Sequence, residues 1–275
     1  MRRQHVSLWV AAGHCADMAT ASDAALMPQV LQHYRLVAAL IEASFAETPI
    51  VFVNYPGGVD KDGIYHATSV PLRANKLLWL IHAEYAIEFY TWAPALLDVD
   101  RLRFGRILLE APPGVAFERV KLAALMMRAL LFDVAKLEAV PLLDGGTGIA
   151  LWVPFADAPK APALRTWLHA LCKRAVALHP ELVSTGFNTH HDDRVHLHVS
   201  SNAAYHYSAV PYSLRAQGLT VCTPVRWAEL GSLAGADAFR YDAIAARLEA
   251  AGDVFAIEVK VIAAQRFASA PVFTG

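Results

Sequence analysis

The most informative stretch of the chain is RVHLHVSSNAAYHYSAVPYSLR, residues 194–215. Apolar residues at 195, 197 and 199 alternate with polar residues at 196, 198 and 200, and this period of two is typical of a half-buried strand. Such a strand places His196 and His198 on one face, about 7 Å apart at Cα. Pro211 then fixes φ and ends strand pairing. A polar strand face beside this rigid turn predicts the wall of a site.

The composition favours a folded protein with a surface poor in charge. The 275 residues are 56% apolar and 18% charged, whereas about 25% charged is usual. A charge-poor surface is compatible with a protein partner or a homo-oligomer. The formal net charge of −1 argues against a protein that grips nucleic acid by bulk electrostatics, so we expect weak or absent DNA binding.

The cysteines indicate a reducing compartment. Cys15, Cys172 and Cys222 are scattered and odd in number, which does not suggest a disulfide framework. No stretch approaches the roughly 20 consecutive apolar residues that a membrane-spanning helix needs. The sequence therefore predicts a cytoplasmic protein without a membrane partner.

Apolar spacing predicts a mixture of helices and strands. We expect helices at residues 22–48, 77–87, 117–131, 164–178 and 242–250, with a short one near 227–230. We expect strands at residues 50–53, 64–68, 88–92, 106–110, 149–153 and 194–200, and an irregular tail from Lys260. This pattern is typical of α+β or α/β folds with mixed sheets.

Several motifs follow one another in a recognisable order. Val210-Pro211-Tyr212-Ser213-Leu214-Arg215-Ala216 precedes Thr223-Pro224-x-x-Trp227-x-Glu229-Leu230, and Arg247-Leu248 precedes Gly252-Asp253. Weaker matches are Tyr55-Pro56-Gly57-Gly58-Val59 and Ile87-Glu88-x-x-x-Trp92. Over roughly residues 26–256 the chain resembles the polymerase domain of bacterial end-joining DNA ligase D, in the archaeo-eukaryotic primase superfamily.

The resemblance implies an α+β fold with a primase-polymerase-like mixed central sheet, flanking helices and a smaller N-terminal lobe. We expect a single domain over residues 1–275: an N-terminal segment (1–25), the N-terminal lobe (26–100), a core with a degenerate site (101–256) and a tail (257–275).

The resemblance also implies metal-dependent nucleotidyl transfer, in which carboxylates clamp Mn²⁺ or Mg²⁺. The two acids of the family's Asp-x-Asp strand fall at Leu109 and Ala111 in one register, or at Glu110 and Pro112 in the register shifted by one. The third acid position is occupied by His198. At most one carboxylate remains, and a Glu with an imidazole is a poor clamp for a hard cation. We therefore expect no metal cofactor.

The family's nucleotide-binding loop, Ser-Gly-x-Lys-Gly-x-His, matches Asp144-Gly145-Gly146-Thr147-Gly148-Ile149-Ala150. The glycines could still form an anion nest, but a plain tight turn is the alternative because Asp144 would repel phosphate. Upstream of His198, the family's basic run has become residues 188–193, Asn-Thr-His-His-Asp-Asp. The remaining candidates for nucleotide or phosphate binding are Gly145, Gly146, Thr147, Gly148, Arg194, Tyr212, Ser213 and Arg215.

The motifs that shape the fold thus persist, while the positions compared with the family's catalytic acids are degenerate. These positions are Leu109, Glu110, Ala111 and His198. This pattern predicts a catalytically inactive pseudo-polymerase that binds or scaffolds in DNA end joining. The alternative is an active nucleotidyltransferase or metal-dependent hydrolase with a site rebuilt around Glu110, His196, His198 and Arg215. A transition-metal site on His190, His191, His196 and His198 is a further hypothesis, opposed by a plain polar strand face and loop.

Overall fold

The computed structural model describes residues 7–8, 21–46, 48–92, 94–95, 98–185, 193–203 and 206–267. They form two main β-sheets with flanking helices, which confirms the predicted α+β class. Among these residues, no helix is both long and apolar enough to cross a membrane.

The first sheet contains most of the predicted N-terminal strands. Its strands are β1 (Ser7–Leu8), β2 (Pro49–Asn54), β3 (Ile64–Pro71), β4 (Glu88–Trp92) and β12 (Tyr207–Ala209). Their order is β1-β3-β2-β4-β12. β1 pairs parallel with β3, and the other neighbours are antiparallel.

The second sheet carries the strand of the opening stretch. Its strands are β7 (Phe104–Glu110), β8 (Val140–Leu143), β9 (Ile149–Pro154), β10 (Val183–Ser184), β11 (Val195–His198) and β13 (Thr223–Pro224). Their order is β10-β11-β7-β9-β8-β13, so β7 lies between β11 and β9. A separate ribbon pairs β5 (Pro94–Ala95) with β6 (Asp98–Leu102).

The helices cover the sheets in two groups. They are α1 (Ala21–Phe45), α2 (Ala74–Glu84), α3 (Phe117–Ala135), α4 (Ala161–Leu178), α5 (Trp227–Leu230), α6 (Ile244–Ala251) and α7 (Val254–Ile262). α3 and α4 bury their apolar faces against one side of the second sheet. A second apolar cluster joins α1, α2 and α7 to strands of both sheets, so the two sheets share a core.

The first helix shows how the sequence pattern produces the packing. Val30, Tyr34, Val37 and Ile41 recur at three and four residues, and all four are buried. The Thr48 hydroxyl donates to the Phe45 carbonyl and satisfies one of the unpaired acceptors at the end of the helix.

Some predicted boundaries were wrong. α2 ends at Glu84 rather than 87 because Tyr85 adopts a left-handed conformation (φ 53°), and its N–H donates to the Leu80 carbonyl. The tail is not irregular from Lys260, since α7 extends to Ile262. β11 ends at His198 rather than 200, and a turn follows in which the Asn202 N–H donates to the Val199 carbonyl.

Candidate functional site

The pairing of β7 with β11 determines which side chains share a face. His196 lies opposite Glu110, and Leu197 lies opposite Leu109. Leu109 and Leu197 point into the core beneath α3 and α4. On the other face, His198 Nε2 lies 3.0 Å from Glu110 Oε2. The alternation in the sequence therefore predicted correctly that the imidazoles face away from the core.

The two registers considered for the family's strand acids place those positions on different faces of β7. Leu109 and Ala111 are both buried in the apolar core, so acids at those positions would face α3 rather than a site. The register of Glu110 and Pro112 is the one that brings Glu110 to His198. Glu110 is then the one carboxylate left at these positions, and its hydrogen bond with His198 lowers its pKa, which favours the anion.

The residues present do not fit a pair of hard divalent cations. Mn²⁺ and Mg²⁺ prefer several oxygen ligands, whereas Glu110 is paired with an imidazole. His196 Nδ1 is hydrogen-bonded to Ser184 Oγ at 2.7 Å, and both residues are buried. Among the described residues, no group of three or more His, Cys, Asp or Glu is arranged to hold a metal ion. His190 and His191 lie outside the described residues.

The loop between β8 and β9 uses its own carboxylate to bind its amides. Asp144 Oδ1 accepts hydrogen bonds from the Gly146 N–H at 2.7 Å and the Gly148 N–H at 3.0 Å. This Asx-type turn puts an internal anion where a nest would hold a phosphate oxygen. Burial raises the pKa of Asp144, although Arg215 and the two amides oppose that shift.

Two positions of this loop require glycine, because neighbouring atoms lie too close to leave room for a Cβ atom. Gly145 has φ +75°, and a Cβ there would lie 2.9 Å from the Arg215 side chain. A Cβ on Gly148 would lie 2.5 Å from the Leu109 carbonyl oxygen. The glycines kept from the family pattern therefore preserve the packing of the loop against β7 and Arg215, whether or not a ligand binds.

A pocket of about 730 Å³ lies between this loop and the first sheet. It is lined by Tyr55, Lys61, Asp62, Gly63, Tyr65, Glu88, Tyr90, Asp144, Gly145, Gly146, Thr147, Arg215, Gln217, Gly218, Thr220, Asp237 and Arg240. Cations and carboxylates are mixed in this lining, so the pocket lacks the one-sided positive charge that suits a triphosphate.

The Glu88 carboxylate lines the pocket and accepts hydrogen bonds from several neighbouring residues. It accepts hydrogen bonds from the hydroxyls of Tyr55 (2.5 Å) and Tyr90 (2.6 Å) and from the Ala216 N–H (2.9 Å). Arg215 Nη1 forms an ion pair with Glu88 Oε2 at 3.3 Å. A buried carboxylate needs such partners, and here they join β4 to the turn that follows Ser213.

Arg215 is held by the protein itself. Its Nε donates to the Asp144 carbonyl at 2.7 Å, and its Nη1 contacts Glu88 and the Tyr90 hydroxyl. The guanidinium also lies over the Tyr90 ring, 5.5 Å from its centroid. Arg215 therefore connects the loop after β8 to β4, with part of its side chain still facing the pocket.

The structure does not bring the other phosphate candidates to the pocket. The Tyr212 hydroxyl donates to Asp253 Oδ1 at 2.7 Å, and Ser213 Oγ is fully buried and accepts from the Phe89 N–H. Arg194 donates to the Pro180 carbonyl. The hydroxyls of Tyr212 and Ser213 are thus engaged inside the fold, away from the pocket lining. Of the remaining candidates, Thr147 lines the pocket and is exposed.

Sequence reasoning missed the tyrosine and glutamate cluster. Glu88 and Tyr55 were noted only as parts of the two weaker motif matches. The available signal was the pair Glu88 and Tyr90 at i and i+2 in β4, which places both polar groups on one face.

Comparisons with known proteins agree with this fold. The family model for the LigD primase-polymerase domain matches residues 66–255. The chain belongs to the LigD primase-polymerase family. The resemblance predicted from the motifs is thereby confirmed.

Two curated relatives are both called multifunctional non-homologous end joining protein LigD. The relative from Mycolicibacterium smegmatis is 24% identical over 254 residues, covering 83% of this chain and 33% of its own length. The relative from Pseudomonas aeruginosa is 29% identical over 171 residues, covering 61% of this chain and 20% of its own length. The chain thus spans a third or less of these relatives.

A solved structure shows the same fold. The polymerase domain of Mycobacterium tuberculosis ligase D, determined in complex with DNA, superposes with a TM-score of 0.76 at 20% identity. The superposition covers 98% of this chain and 100% of that chain.

Proposed function

We propose that this chain is a non-catalytic member of the LigD primase-polymerase family. It would act in DNA end joining by binding or scaffolding a protein partner rather than by nucleotidyl transfer. The observation that carries the proposal is the pair of Glu110 and His198, 3.0 Å apart, at the positions where the family has its acids. A carboxylate held by an imidazole does not provide the clamp that activates a 3′-hydroxyl and neutralises a triphosphate.

The loop of residues 144–148 supports the same proposal. For a triphosphate to use the Gly146 and Gly148 amides it would have to displace the Asp144 carboxylate, which already accepts both hydrogen bonds. Thr147 adds no positive charge to attract the ligand. Nucleotide binding would therefore be opposed by both geometry and charge.

The alternative of an enzyme with a rebuilt site has less support. Arg215 contacts Glu88, Tyr90 and the Asp144 backbone, and no hydrogen bond links it to Glu110. The role in end joining is suggested by the names of the two relatives.

The cysteines bear on where the protein would act. The buried free thiols of Cys172 and Cys222 are compatible with a protein of the reducing cytoplasm.

Primer extension tests the proposal. The purified chain is incubated with Mn²⁺, labelled nucleotides and a primed DNA template, beside the Mycobacterium tuberculosis ligase D polymerase domain. We expect no extension by this chain, because the metal clamp is lost.

Glu110→Gln is the matched variant for the same assay. Any trace signal from a contaminating polymerase should be unchanged in this variant. Template-dependent extension by the wild type that disappears in Glu110→Gln would show that a rebuilt site is active, and would refute the proposal.

A further inference from the structure

The outward face of α3 carries apolar side chains in a regular series. Leu122, Leu125 and Phe132 are 55%, 44% and 47% exposed, and Ala129 is exposed between them. Their spacing of three, four and three residues is the a/d pattern of a coiled coil. The opposite face of α3 is already buried against the second sheet. These four residues, the α3 stripe, therefore form a second apolar seam that the fold leaves partly exposed.

The α3 stripe is symmetric about its middle. If a second α3 runs antiparallel, with a two-fold axis at the level of residue 127, Leu122 lies opposite Phe132 of the second copy. Leu125 then lies opposite Ala129 of the second copy, so a large side chain meets a small one. The same set of residues serves both copies, as an isologous two-fold interface requires.

The charges at the two ends of the stripe favour the same orientation. The heptad spacing continues to Glu118 at one end and to Lys136 at the other, and both are exposed. Within one copy, Glu118 Oε1 lies 2.6 Å from Lys121 Nζ, and Lys136 Nζ lies 4.6 Å from the centroid of the Phe132 ring, so in a dimer these charges would gain a second partner. An antiparallel pair sets each Glu118 beside Lys136 of the other copy. A parallel pair would set glutamate against glutamate and lysine against lysine, which is unfavourable.

We propose that the α3 stripe is the contact through which two copies of this chain form an antiparallel, two-fold dimer. The stripe covers about 15 Å of helix at 1.5 Å rise per residue, which is short for a stable interface. We therefore expect a weak dimer with a dissociation constant in the micromolar range. The inference does not depend on whether the chain is catalytic.

Sedimentation equilibrium between about 5 and 200 µM protein tests the dimer. The wild type should shift from the monomer mass of 29.9 kDa to twice that value as concentration rises. Leu125→Glu should weaken the dimer by about 100-fold, because each substitution places two charges in an isologous apolar seam. Val261→Glu on α7 is the matched control, since Val261 is 75% exposed and off the stripe, and it should dimerise like the wild type.

Disulfide trapping tests the orientation. In a Cys15→Ser background, a Leu125→Cys protein and an Ala129→Cys protein should form an interchain disulfide when mixed and oxidised, and much less when oxidised separately. The native Cys172 and Cys222 are buried and should not react. A chain that stays monomeric at every concentration, a dimer unaffected by Leu125→Glu, or disulfides formed only within each separate variant would each overturn the proposal.

Discussion

At the scale of single residues, Arg106 is a cation buried in the interior of the fold. It is 1% exposed, and its guanidinium stacks on Trp152 at 4.4 Å. Among the described residues, its Nε and Nη1 groups have no hydrogen-bond acceptor. Burial lowers the pKa of Arg106 to about 9, which is the expected response of a cation removed from water.

Replacing this cation should stabilise the protein. We expect Arg106→Met to raise the free energy of unfolding at pH 7 by about 1–3 kcal/mol, since an apolar side chain of similar length removes the desolvation cost. The Arg106 backbone bonds to Asn202 do not depend on the side chain and should remain. Urea denaturation of the variant and the wild type measures the difference.

Arg215→Met is the contrasting variant. Because it would leave the buried Glu88 carboxylate without its cation, it should destabilise by about 3 kcal/mol or more. A destabilised Arg106→Met protein would mean that the Arg106 charge is compensated by a group outside the contacts described above.

The same scale shows what could be predicted about the site. The shared face of His196 and His198 could be predicted, because both residues lie in a strand whose side chains alternate with a period of two. The Glu88 cluster could not, because Tyr55 and Arg215 lie 33 and 127 residues away from Glu88 in sequence. The segment that begins at Asp144 was predicted as a turn. The hydrogen bonds from the Gly146 and Gly148 amides to its carboxylate could not be predicted, because they depend on the geometry of the loop.

At the scale of elements, His33 attaches α1 to the turn after β12. His33 Nε2 lies 2.8 Å from the Tyr212 carbonyl oxygen, and Tyr212 has a positive φ of 68°. Burial lowers the pKa of His33 from 6.5 to about 4, so the folded protein binds this proton less readily than the unfolded chain. The stabilising effect of neutral His33 is complete above pH 6.5 and is lost as the pH falls toward 4.

This difference predicts a pH-dependent stability. Between pH 7 and pH 5, His33 alone should remove about 2 kcal/mol from the free energy of unfolding, at about 1.4 kcal/mol per pH unit below the unfolded-state pKa. His33→Gln keeps an amide donor for the Tyr212 carbonyl but does not titrate, so its stability should change less over this range. Urea denaturation at pH 7, 6 and 5 measures both proteins. Parallel pH profiles would show that His33 does not titrate as predicted.

Elements with long apolar periods were predictable, and of the short elements α5 was predicted whereas β12 and β13 were not. The stripes of α1, α3 and α4 extend over several turns, so their existence follows from the sequence. β12 and β13 are three and two residues long, too short for any period to appear. Their pairing to β4 and β8 is fixed by tertiary contacts rather than by local pattern.

At the scale of the whole molecule, the net charge and the placement of basic residues determine the affinity that we expect for DNA. The net charge is −1, and the segment at residues 25–30, where the resemblance would place phosphate-binding lysines, contains no cation. Six basic residues elsewhere could compensate. Lys61, Lys76 and Arg103 are exposed, whereas Arg106 is buried, Arg73 is paired with Glu42, and Arg101 donates to the Ala158 carbonyl.

We therefore expect weak DNA binding with no preference for a 5′-phosphorylated gap. Each phosphate contact contributes nearly one unit to the slope of log K against log salt, so a chain with few contacts should show a shallow slope. Fluorescence anisotropy with gapped duplexes, with and without the 5′-phosphate, across a salt series measures both quantities. The Mycobacterium tuberculosis ligase D polymerase domain, solved in complex with DNA, is the comparator. Tight binding that requires the 5′-phosphate would instead make this chain a DNA-end-binding module.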